Sequence, residues 1–599
     1  MPGATVDLLT CADGTGDGHP RCWWSWFGLF HNTSVSYFLE ARKGTPRSRD
    51  RLHRRGHPAT LRHVVAADTQ EQAERGRAPG ESAPLDRVER AQLDTVRRFG
   101  TVGSLLLTIG SLGAGAAPVF NPVFRLPVLG LFSRMTTVAL AFAFTGVFMI
   151  VLAWLALGRL SRPGRARAVS VPQMGRTLAM WITPLVFTVP SFSRDVYSYL
   201  AQSEIVNLGQ DPYTVGPAQA LGLNNPLTLG VPTMWRETPS PYGPLFLTLG
   251  KAVSWLTGDH VVMGVAAHRL IALVGLAMIV WSLPRLARRF GVSPVSALWL
   301  GAANPLVLFH LVVGVHNEAL AIGLMLVGFE LALRNMPRVT PDGPFPPWQR
   351  GELLWYAIGA AVITLGAAVK IPAALALGFL GVMIARRVGG RWSHLFATAG
   401  GLFVVFAVVL SACSFGSGLG YGWVATLNTA STIKSWMAPM TALGFGAGGL
   451  GVLLGLGNHI EAAITVSRAV GGVLGPLLAA KLLLDSFRWR LRPLTGLGVG
   501  MGAVLVLGAT VQPWYLLWAA VPLAAAAGNT KFRTAATIIS AGLAVALAPT
   551  GQTFDGRVFV LPYAIIGAVV VTVIAVVVVR RRIPRGEWLP GRRVTATTP

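Results

Sequence analysis

The stretch Ser193-Arg-Asp-Val-Tyr-Ser-Tyr-Leu-Ala-Gln202 begins where a long apolar segment ends. The polar sequence that follows it continues to Thr238-Pro-Ser-Pro-Tyr-Gly-Pro244, and it is rich in acids, aromatic residues and prolines. Most of the chain outside this stretch is apolar, and charged groups inside a membrane are costly, so few other positions could carry chemically active groups. We therefore expect the functional groups to gather in and around this stretch.

The composition of the whole chain is that of a membrane protein. Of 599 residues, 52% are hydrophobic and only 13% are charged, whereas soluble domains carry about 25% charged residues. Uncharged runs such as Val138–Leu157 and Val558–Val579 match the roughly 20 residues that a helix needs to cross hydrocarbon. The sequence predicts an all-α polytopic membrane protein.

The formal charge of +26 raises the question of nucleic-acid binding. The arginines, however, stand in short clusters at the ends of apolar segments, as the positive-inside bias of membrane proteins predicts. We therefore expect no nucleic-acid partner. The three cysteines, Cys11, Cys22 and Cys413, form neither a disulfide framework nor a metal-ligand spacing.

Arginine clusters also assign the two sides of the membrane. The predicted span 136–158 is followed by a loop with no acid and with Arg159, Arg162, Arg165, Arg167 and Arg176. That loop is predicted to be cytoplasmic, so the next span, 177–192, brings Arg194 and Asp195 to the extracytoplasmic surface. The loop 193–261 carries three basic and five acidic side chains, which fits an outer location.

The remaining apolar segments alternate between the two sides. Segment 353–386 is too long for one span, and Lys370-Ile-Pro372 in its middle predicts a hairpin with its tip outward. The short piece 244–256 is interpreted as re-entrant or interfacial. In total we count about 13–14 transmembrane helices, with both termini in the cytoplasm.

The domain organisation follows from these assignments. Residues 1–98 are polar and are predicted to form a disordered cytoplasmic tail that ends in an amphipathic helix; alternatively, part of this region reflects a start codon assigned too far upstream. Residues 99–582 form the transmembrane domain, with outer loops at 193–261 and 413–440. Residues 583–599 are a second cytoplasmic tail.

The candidate functional residues all fall at the outer ends of spans. A transporter would place such groups near the membrane midplane, at broken helices, so one-sided clustering favours an enzyme working at the outer leaflet. A lipid-borne sugar phosphate would supply activated substrate there. Transfer from it needs a carboxylate base, cations for the leaving phosphate and aromatic faces for sugars.

These requirements assign a role to each candidate. Asp195 is the predicted base, because the end of a span would hold it rigidly. The predicted ligands of the donor phosphate are Arg269, Lys370 and Arg468. The predicted substrate-binding residues are Arg194, Asp211, Trp235, Tyr242, His316, Asn317, Glu318, Gln512, Trp514 and Tyr515. No metal ligands and no obligatory cofactor are predicted.

Simpler structural roles exist for most of these residues. Arg194 and Asp195 could form an interfacial pair that closes a helix end, and Asp211 could make a turn before Pro212. His316 could cap a helix, and Lys370 could be a solvated cap. The aromatic residues are equally what an interfacial belt requires.

Four motifs together resemble a known family: Ser193–Gln202, Gly209-Gln-Asp-Pro-Tyr213, Thr238–Pro244 and Val315-His-Asn-Glu318. The chain resembles the polyprenol-phosphate-mannose-dependent α-(1→6)-mannosyltransferases of actinobacteria, of the MptA/MptB type, with the MptB branch closer. The resemblance covers about residues 85–585.

The resemblance implies a GT-C glycosyltransferase with its active site on the extracytoplasmic side. The donor would be mannose on a polyprenyl phosphate, and the acceptor a phosphatidylinositol-mannoside or lipomannan lipid in the bilayer. The product would be the α-(1→6)-mannan core of lipomannan and lipoarabinomannan, formed with inversion. In GT-C enzymes an acid in the first sizeable outer loop serves as base, and Asp195 matches it, although three predicted spans precede it here where many members have one.

Two other functions remain open from the residues. A flippase or transporter of lipid-linked sugars would need polar groups that continue to the cytoplasmic side. An O-antigen-ligase-like transferase would use a different lipid-linked glycan.

Overall fold

The computed structural model describes residues 83–258, 260–340, 343, 345–427, 429, 434–435, 437–551 and 559–582. Within these ranges the regular secondary structure is helical, apart from an isolated bridge between Ala83 and Arg167. The α-helices of eight or more residues in the first half are α1 Arg87–Ala114, α2 Thr136–Leu160, α3 Val171–Leu185, α4 Asp195–Asn207, α5 Pro244–Thr257, α6 Val261–Arg289, α7 Pro294–Gly301 and α8 Glu318–Ala332. The helices of the second half are α9 Glu352–Val369, α10 Leu375–Arg387, α11 Trp392–Gly416, α12 Pro439–Leu453, α13 Ile460–Phe487, α14 Pro493–Val506, α15 Leu516–Ala526, α16 Thr530–Ala546 and α17 Leu561–Arg582.

The prediction of an all-α polytopic membrane protein is confirmed. Among the described residues, six helices are long and apolar enough to cross a membrane, namely α2, α6, α9, α11, α13 and α17. A seventh span is possible if the π-helical turn Val307–Val313 and α8 count as one, although a 110° bend separates them. The sequence-based count of 13–14 is higher because several apolar segments form helices shorter than a bilayer crossing, such as α12, α14 and α15.

The N-terminal end of the described chain belongs to the helix bundle. The predicted amphipathic helix before residue 98 and the first predicted span form one continuous helix, α1, which begins with a capping box between Asp86 and Glu89. Arg97 on this helix is buried and donates to the hydroxyl of Thr177 and the carbonyl of Gln173, each at 2.9 Å. Helix α1 therefore continues through residue 98, the predicted end of the tail. Residues 1–82 and 583–599 lie outside the described residues.

Arginine side chains hold the chain together at one end of the bundle. Arg387, at the end of α10, donates to both carboxylate oxygens of Glu352, at the start of α9, at 2.7 and 3.1 Å. Arg492 donates to the carbonyl of Phe290 at 2.9 Å. We call this end the arginine face.

The contact between Arg387 and Glu352 also defines the hairpin of α9 and α10. Because the start of α9 lies beside the end of α10, the break at Lys370 must be the tip, as predicted. The 18 residues of α9 rise about 27 Å at 1.5 Å per residue. Lys370 therefore lies about one hydrocarbon thickness from the arginine face.

The ion pair between Glu352 and Arg387 predicts a measurable loss of stability. Both side chains are almost fully buried, so Glu352→Gln leaves Arg387 without a counter-charge, and we expect a loss of about 3–5 kcal/mol. Unfolding by SDS in mixed micelles measures this free energy.

The matched control is Lys481→Gln, which removes one basic partner of Asp485 from a pair in which the lysine is exposed. Such pairs contribute about 0–1 kcal/mol. Equal losses for the two variants would contradict the structural role of the Glu352–Arg387 pair.

Candidate active site

A cavity of about 220 Å³ lies at the Lys370 end of the bundle. It is formed by α4, the turn before α5, the tip of the α9–α10 hairpin and the segment before α15. The polar and aromatic side chains that line it are Asp195, Ser198, Gln202, Trp235, Tyr242, Lys370, Trp423, Thr426, Thr510, Gln512, Trp514, Tyr515 and Trp518. Seven of the predicted site residues are in this set.

Asp195 is the first residue of α4, and its backbone N–H donates to the hydroxyl of Ser193 at 3.0 Å. Most of the helix behind it is buried, so the carboxylate is carried on a rigid element. Its side chain is 24% exposed. Burial, and then the charge of Glu318, raise the pKa of Asp195 to about 6, while Lys370 opposes the shift. The carboxyl is therefore ionised at neutral pH yet basic enough to take a proton.

Lys370 supplies the positive charge of the cavity. Its ammonium forms an ion pair with Glu318, which is completely buried at the start of α8. The same nitrogen lies 4.9 Å from the ring centroid of Tyr515. Burial alone would lower the pKa of Lys370, but the Glu318 carboxylate outweighs it and holds the pKa above the usual value. Lys370 therefore stays charged.

A close approach of the backbone places Tyr242 beside Lys370. The N–H of Gly243 donates to the carbonyl of Val369 at 3.1 Å. A Cβ added at Gly243 would lie 2.1 Å from the carbonyl oxygen of Ala368, so only glycine fits there. The predicted rigid turn thus docks on the end of α9 and sets one wall of the cavity.

The motif His316-Asn317-Glu318 lies behind the cavity wall, not on it. His316 is fully buried, and its ring stacks on that of Trp514 with centroids 3.8 Å apart. Its Nδ1 lies 3.4 Å from Oδ2 of Asp195. These residues were predicted to bind substrate, whereas the structure puts them in contact with residues that line the cavity.

Arg194 and Asp211 do not line the cavity. Arg194 donates to the carbonyl of Gly230 at 3.2 Å and lies over the ring of Tyr197 at 5.6 Å. The carboxylate of Asp211 accepts from the backbone N–H of Tyr213 at 2.9 Å. Asp211 therefore makes a turn at Pro212, which is the structural role predicted as the alternative to substrate binding.

Arg269 and Arg468 also lie outside the lining. Arg269 is buried and donates to backbone carbonyls, including those of Val186 at 2.7 Å and Val312 at 3.2 Å. Arg468 donates to the carbonyl of Ala509 at 3.1 Å. Of the three predicted phosphate ligands, only Lys370 reaches the cavity.

Several lining residues were missed by the sequence analysis. Ser198 and Gln202 follow Asp195 by three and seven positions, which places all three on one helical face. Trp518 follows Trp514 by four positions in the same way. Helical spacing from the predicted residues could have found these, whereas Trp423 lies in the predicted outer loop 413–440 but was not among the predicted site residues.

Comparison with known families covers most of the chain. Residues 97–386 match the family described as "Alpha-(1->6)-mannopyranosyltransferase, N-terminal domain", and residues 440–577 match "MptB C-terminal domain". The chain belongs to the MptA/MptB family of mannosyltransferases.

Individual relatives agree with this assignment. The chain is 44% identical to a probable alpha-(1->6)-mannopyranosyltransferase of Mycolicibacterium smegmatis, over 86% of this chain and 93% of the relative. It is 43% identical to an alpha-(1->6)-mannopyranosyltransferase of Mycobacterium tuberculosis, over 85% and 90%. Identity to alpha-(1->6)-mannopyranosyltransferase B of Corynebacterium glutamicum is 36%, over 78% of each chain. No solved structure gave a significant match.

In this MptA/MptB-family protein, the ion pair of Lys370 and Glu318 predicts a rescue experiment. Lys370→Gln leaves the buried Glu318 carboxylate unpaired, and we expect about 3–5 kcal/mol of lost stability. Adding Glu318→Gln removes the stranded charge, so the double variant should recover most of that loss while mannosyl transfer stays impaired. SDS unfolding and a transfer assay measure the two effects, and a double variant as unstable as Lys370→Gln would contradict the pairing.

Proposed function

We propose that the protein transfers mannose from polyprenyl-phosphate-mannose to a lipid-anchored mannan acceptor. The acceptor is a phosphatidylinositol-mannoside or lipomannan, and the new linkage is α-(1→6), formed with inversion by a GT-C enzyme. The observation that carries the proposal is the cavity, in which a carboxylate with a pKa of about 6 and an ammonium face aromatic walls. The activity for which the relatives are named supports the sugar and the linkage.

Asp195 acts as the general base in this reaction. Its carboxylate takes the proton of the acceptor 6-hydroxyl while that oxygen bonds to the anomeric carbon of mannose. The bond between the anomeric carbon and the phosphate oxygen breaks, and its electron pair leaves with the polyprenyl phosphate. Lys370 stabilises the charge that builds on the departing phosphate.

The aromatic walls bind the sugars. Trp235, Tyr242, Trp514 and Tyr515 line the cavity, and aromatic faces pack well against the apolar faces of sugar rings. Because Trp514 stacks on a buried ring and Tyr515 lies against Lys370, these faces are fixed before substrate arrives. The proposed site needs no obligatory cofactor, since the lipid phosphate itself is the leaving group.

The apolar edge of the cavity gives the polyprenyl chain a route into the bilayer. Leu410 of α11 and Leu505 of α14 belong to the lining. Helix α11 buries only Leu402, Leu410 and Ser414 of its 25 residues, so most of its surface faces lipid. A carrier chain that leaves the cavity past Leu410 meets that surface at once.

The proposed sidedness follows from the two ends of the bundle. The arginine face corresponds to the cytoplasmic side by the positive-inside rule. The cavity, at the opposite end of α9, then opens to the extracytoplasmic side, where lipid-linked donors replace nucleotide sugars. Residue Arg162 is exposed in the loop after α2, and Asn224 is exposed in the long loop after α4.

Asp195→Asn tests the proposed base. We expect transfer from radiolabelled polyprenyl-phosphate-mannose to an α-(1→6)-mannoside to fall by about 10²–10⁴, because asparagine cannot take the proton. In the unaltered protein the base works only when ionised. With a pKa of about 6, kcat/KM should therefore drop about tenfold for each pH unit below 6.

Asp485→Asn serves as the control, since this acid lies near the arginine face and, among the described residues, forms ion pairs with the exposed side chains of Lys481 and Arg490. It should keep transfer within about twofold. Near-normal transfer by Asp195→Asn would remove Asp195 from the role of base. Movement of the lipid-linked sugar without bond formation would instead favour a flippase.

Cysteine labelling tests the sidedness. In a background with Cys11, Cys22 and Cys413 replaced by serine, Asn224→Cys should react with a membrane-impermeant maleimide in right-side-out vesicles. Arg162→Cys should react only after permeabilisation. The reverse pattern would place the cavity on the cytoplasmic side and would contradict the use of a lipid-linked donor at the outer leaflet.

A further inference from the structure

His316 is a fully buried imidazole with no hydrogen bond at either ring nitrogen within the described part of the chain. Its Nδ1 faces two carboxylates, with Oδ2 of Asp195 at 3.4 Å and Oε2 of Glu318 at 3.8 Å. The opposite side of the ring packs against Gly314, where an added Cβ would lie 3.2 Å from Nε2. Nδ1 is therefore the ring nitrogen that faces the two carboxylates.

The two carboxylates decide where the imidazole carries its proton. A lone pair on Nδ1 would face two acceptors and repel both, whereas an N–H there can donate to either. We therefore assign the proton to Nδ1. The distance of 3.4 Å to Asp195 is longer than a good hydrogen bond, but catalytic hydrogen bonds often tighten only when substrate binds.

Backbone strain precedes both residues of this contact. Phe192, three residues before Asp195, has a φ of 66°, and Val315, directly before His316, has a φ of 59°. A positive φ is rare for residues other than glycine, and in a β-branched residue such as valine it is an outlier. Strain of this kind persists only where the surroundings enforce it, and it clusters at functional sites.

The surroundings of both strained residues are tightly packed. The ring of Phe192 stacks on that of Phe309, with centroids 5.1 Å apart. Val315 is buried, and the N–H of His316 donates to the carbonyl of His310 at 3.2 Å. The fold thus holds two unfavourable backbone conformations, and their common result is that Asp195 and His316 face each other.

We propose that His316 is a positioning residue that donates from Nδ1 to the Asp195 carboxylate and aims it at the acceptor hydroxyl. This role rests on the proposed function of Asp195 as the base. It differs from the substrate contact expected from sequence, since His316 is sealed from the cavity by Trp514 and acts through Asp195 alone.

The other charged and titratable groups around Asp195 make this donor important. They come from α8, the α9 tip, α4 itself, the turn before α5 and the segment before α15, and are Glu318, Lys370, Tyr199, Tyr242 and Tyr515. Burial and Glu318 disfavour the ionised form of Asp195. Loss of the His316 N–H would leave those effects less opposed, so the pKa of Asp195 would rise further.

Two substitutions separate the donor from the ring. His316→Phe keeps the stacking on Trp514 and removes the N–H, whereas His316→Asn loses the ring but places an amide N–H close to the position of Nδ1. For His316→Phe we expect kcat to fall about 10- to 100-fold and the acid limb of kcat/KM to move up by about one pH unit. The KM for polyprenyl-phosphate-mannose should stay within about twofold. His316→Asn should restore most of kcat and return the acid limb.

His268→Phe is the matched control, because His268 is also buried and, within the described residues, has no hydrogen bond at either ring nitrogen. Its ring contacts those of Tyr199 and Phe246 instead of Asp195. Its pH profile should be unchanged. If His316→Phe is not monodisperse after purification, His316→Gln replaces it. The glutamine amide reaches the position of Nε2 and not that of Nδ1, so this variant should not restore the acid limb of the pH profile.

The outcomes distinguish this inference from the proposed function. If the unaltered protein is active and the acid limb of the pH profile does not move in His316→Phe, the positioning role is overturned. The role of Asp195 as the base is then unaffected. The same holds if His316→Phe is normal and His316→Asn is inactive, because the ring alone would then matter. Failure of the unaltered protein to transfer mannose would overturn the proposed function itself. Full activity of Asp195→Asn would remove the base through which His316 is proposed to act, and with it the positioning role.

Discussion

The buried ion pair between Lys370 and Glu318 is the interaction on which the site depends. It joins the end of α9 to the start of α8, and two opposite charges in a low-dielectric interior are tolerated only as partners. Burial raises the pKa of Asp195 most, Glu318 raises it further, and Lys370 limits the rise. The pair thus joins two helix ends and adjusts the proton affinity of the neighbouring carboxylate.

The same rule for buried charges organises the opposite end of the bundle. There Arg387 is neutralised by Glu352, and other arginines bind backbone carbonyls that helix ends leave without partners. Arg269, inside the bundle, is satisfied in the same way. Among the described residues, these arginines therefore bind the protein's own carbonyls and carboxylates, and Lys370 is the cation that lines the cavity.

How far the sequence predicts the site depends on what fixes each side chain. The Lys370 tip and Asp195 at a rigid helix start follow from local signals, namely a proline break and the end of an apolar run, and both were predicted. The burial of His316 was not predictable, because the left-handed conformation of Val315 comes from tertiary packing. Arg269 was taken for a phosphate ligand because a single sequence cannot show that carbonyls on other helices already bind it.

The charge balance of the proposed reaction fits this arrangement. When Asp195 takes a proton, it loses one negative charge. When the bond to the sugar breaks, the phosphate gains one negative charge. The total charge of the cavity is therefore constant through the chemical step. A water-poor site favours such a step, because no new charge has to be solvated. The negative charge moves from the carboxylate to the phosphate, and an ammonium that lies near both, as Lys370 would, is suited to stabilise it before and after transfer. A second lysine or arginine in the cavity would stabilise the ionised carboxylate further and lower the proton affinity that Asp195 needs as a base.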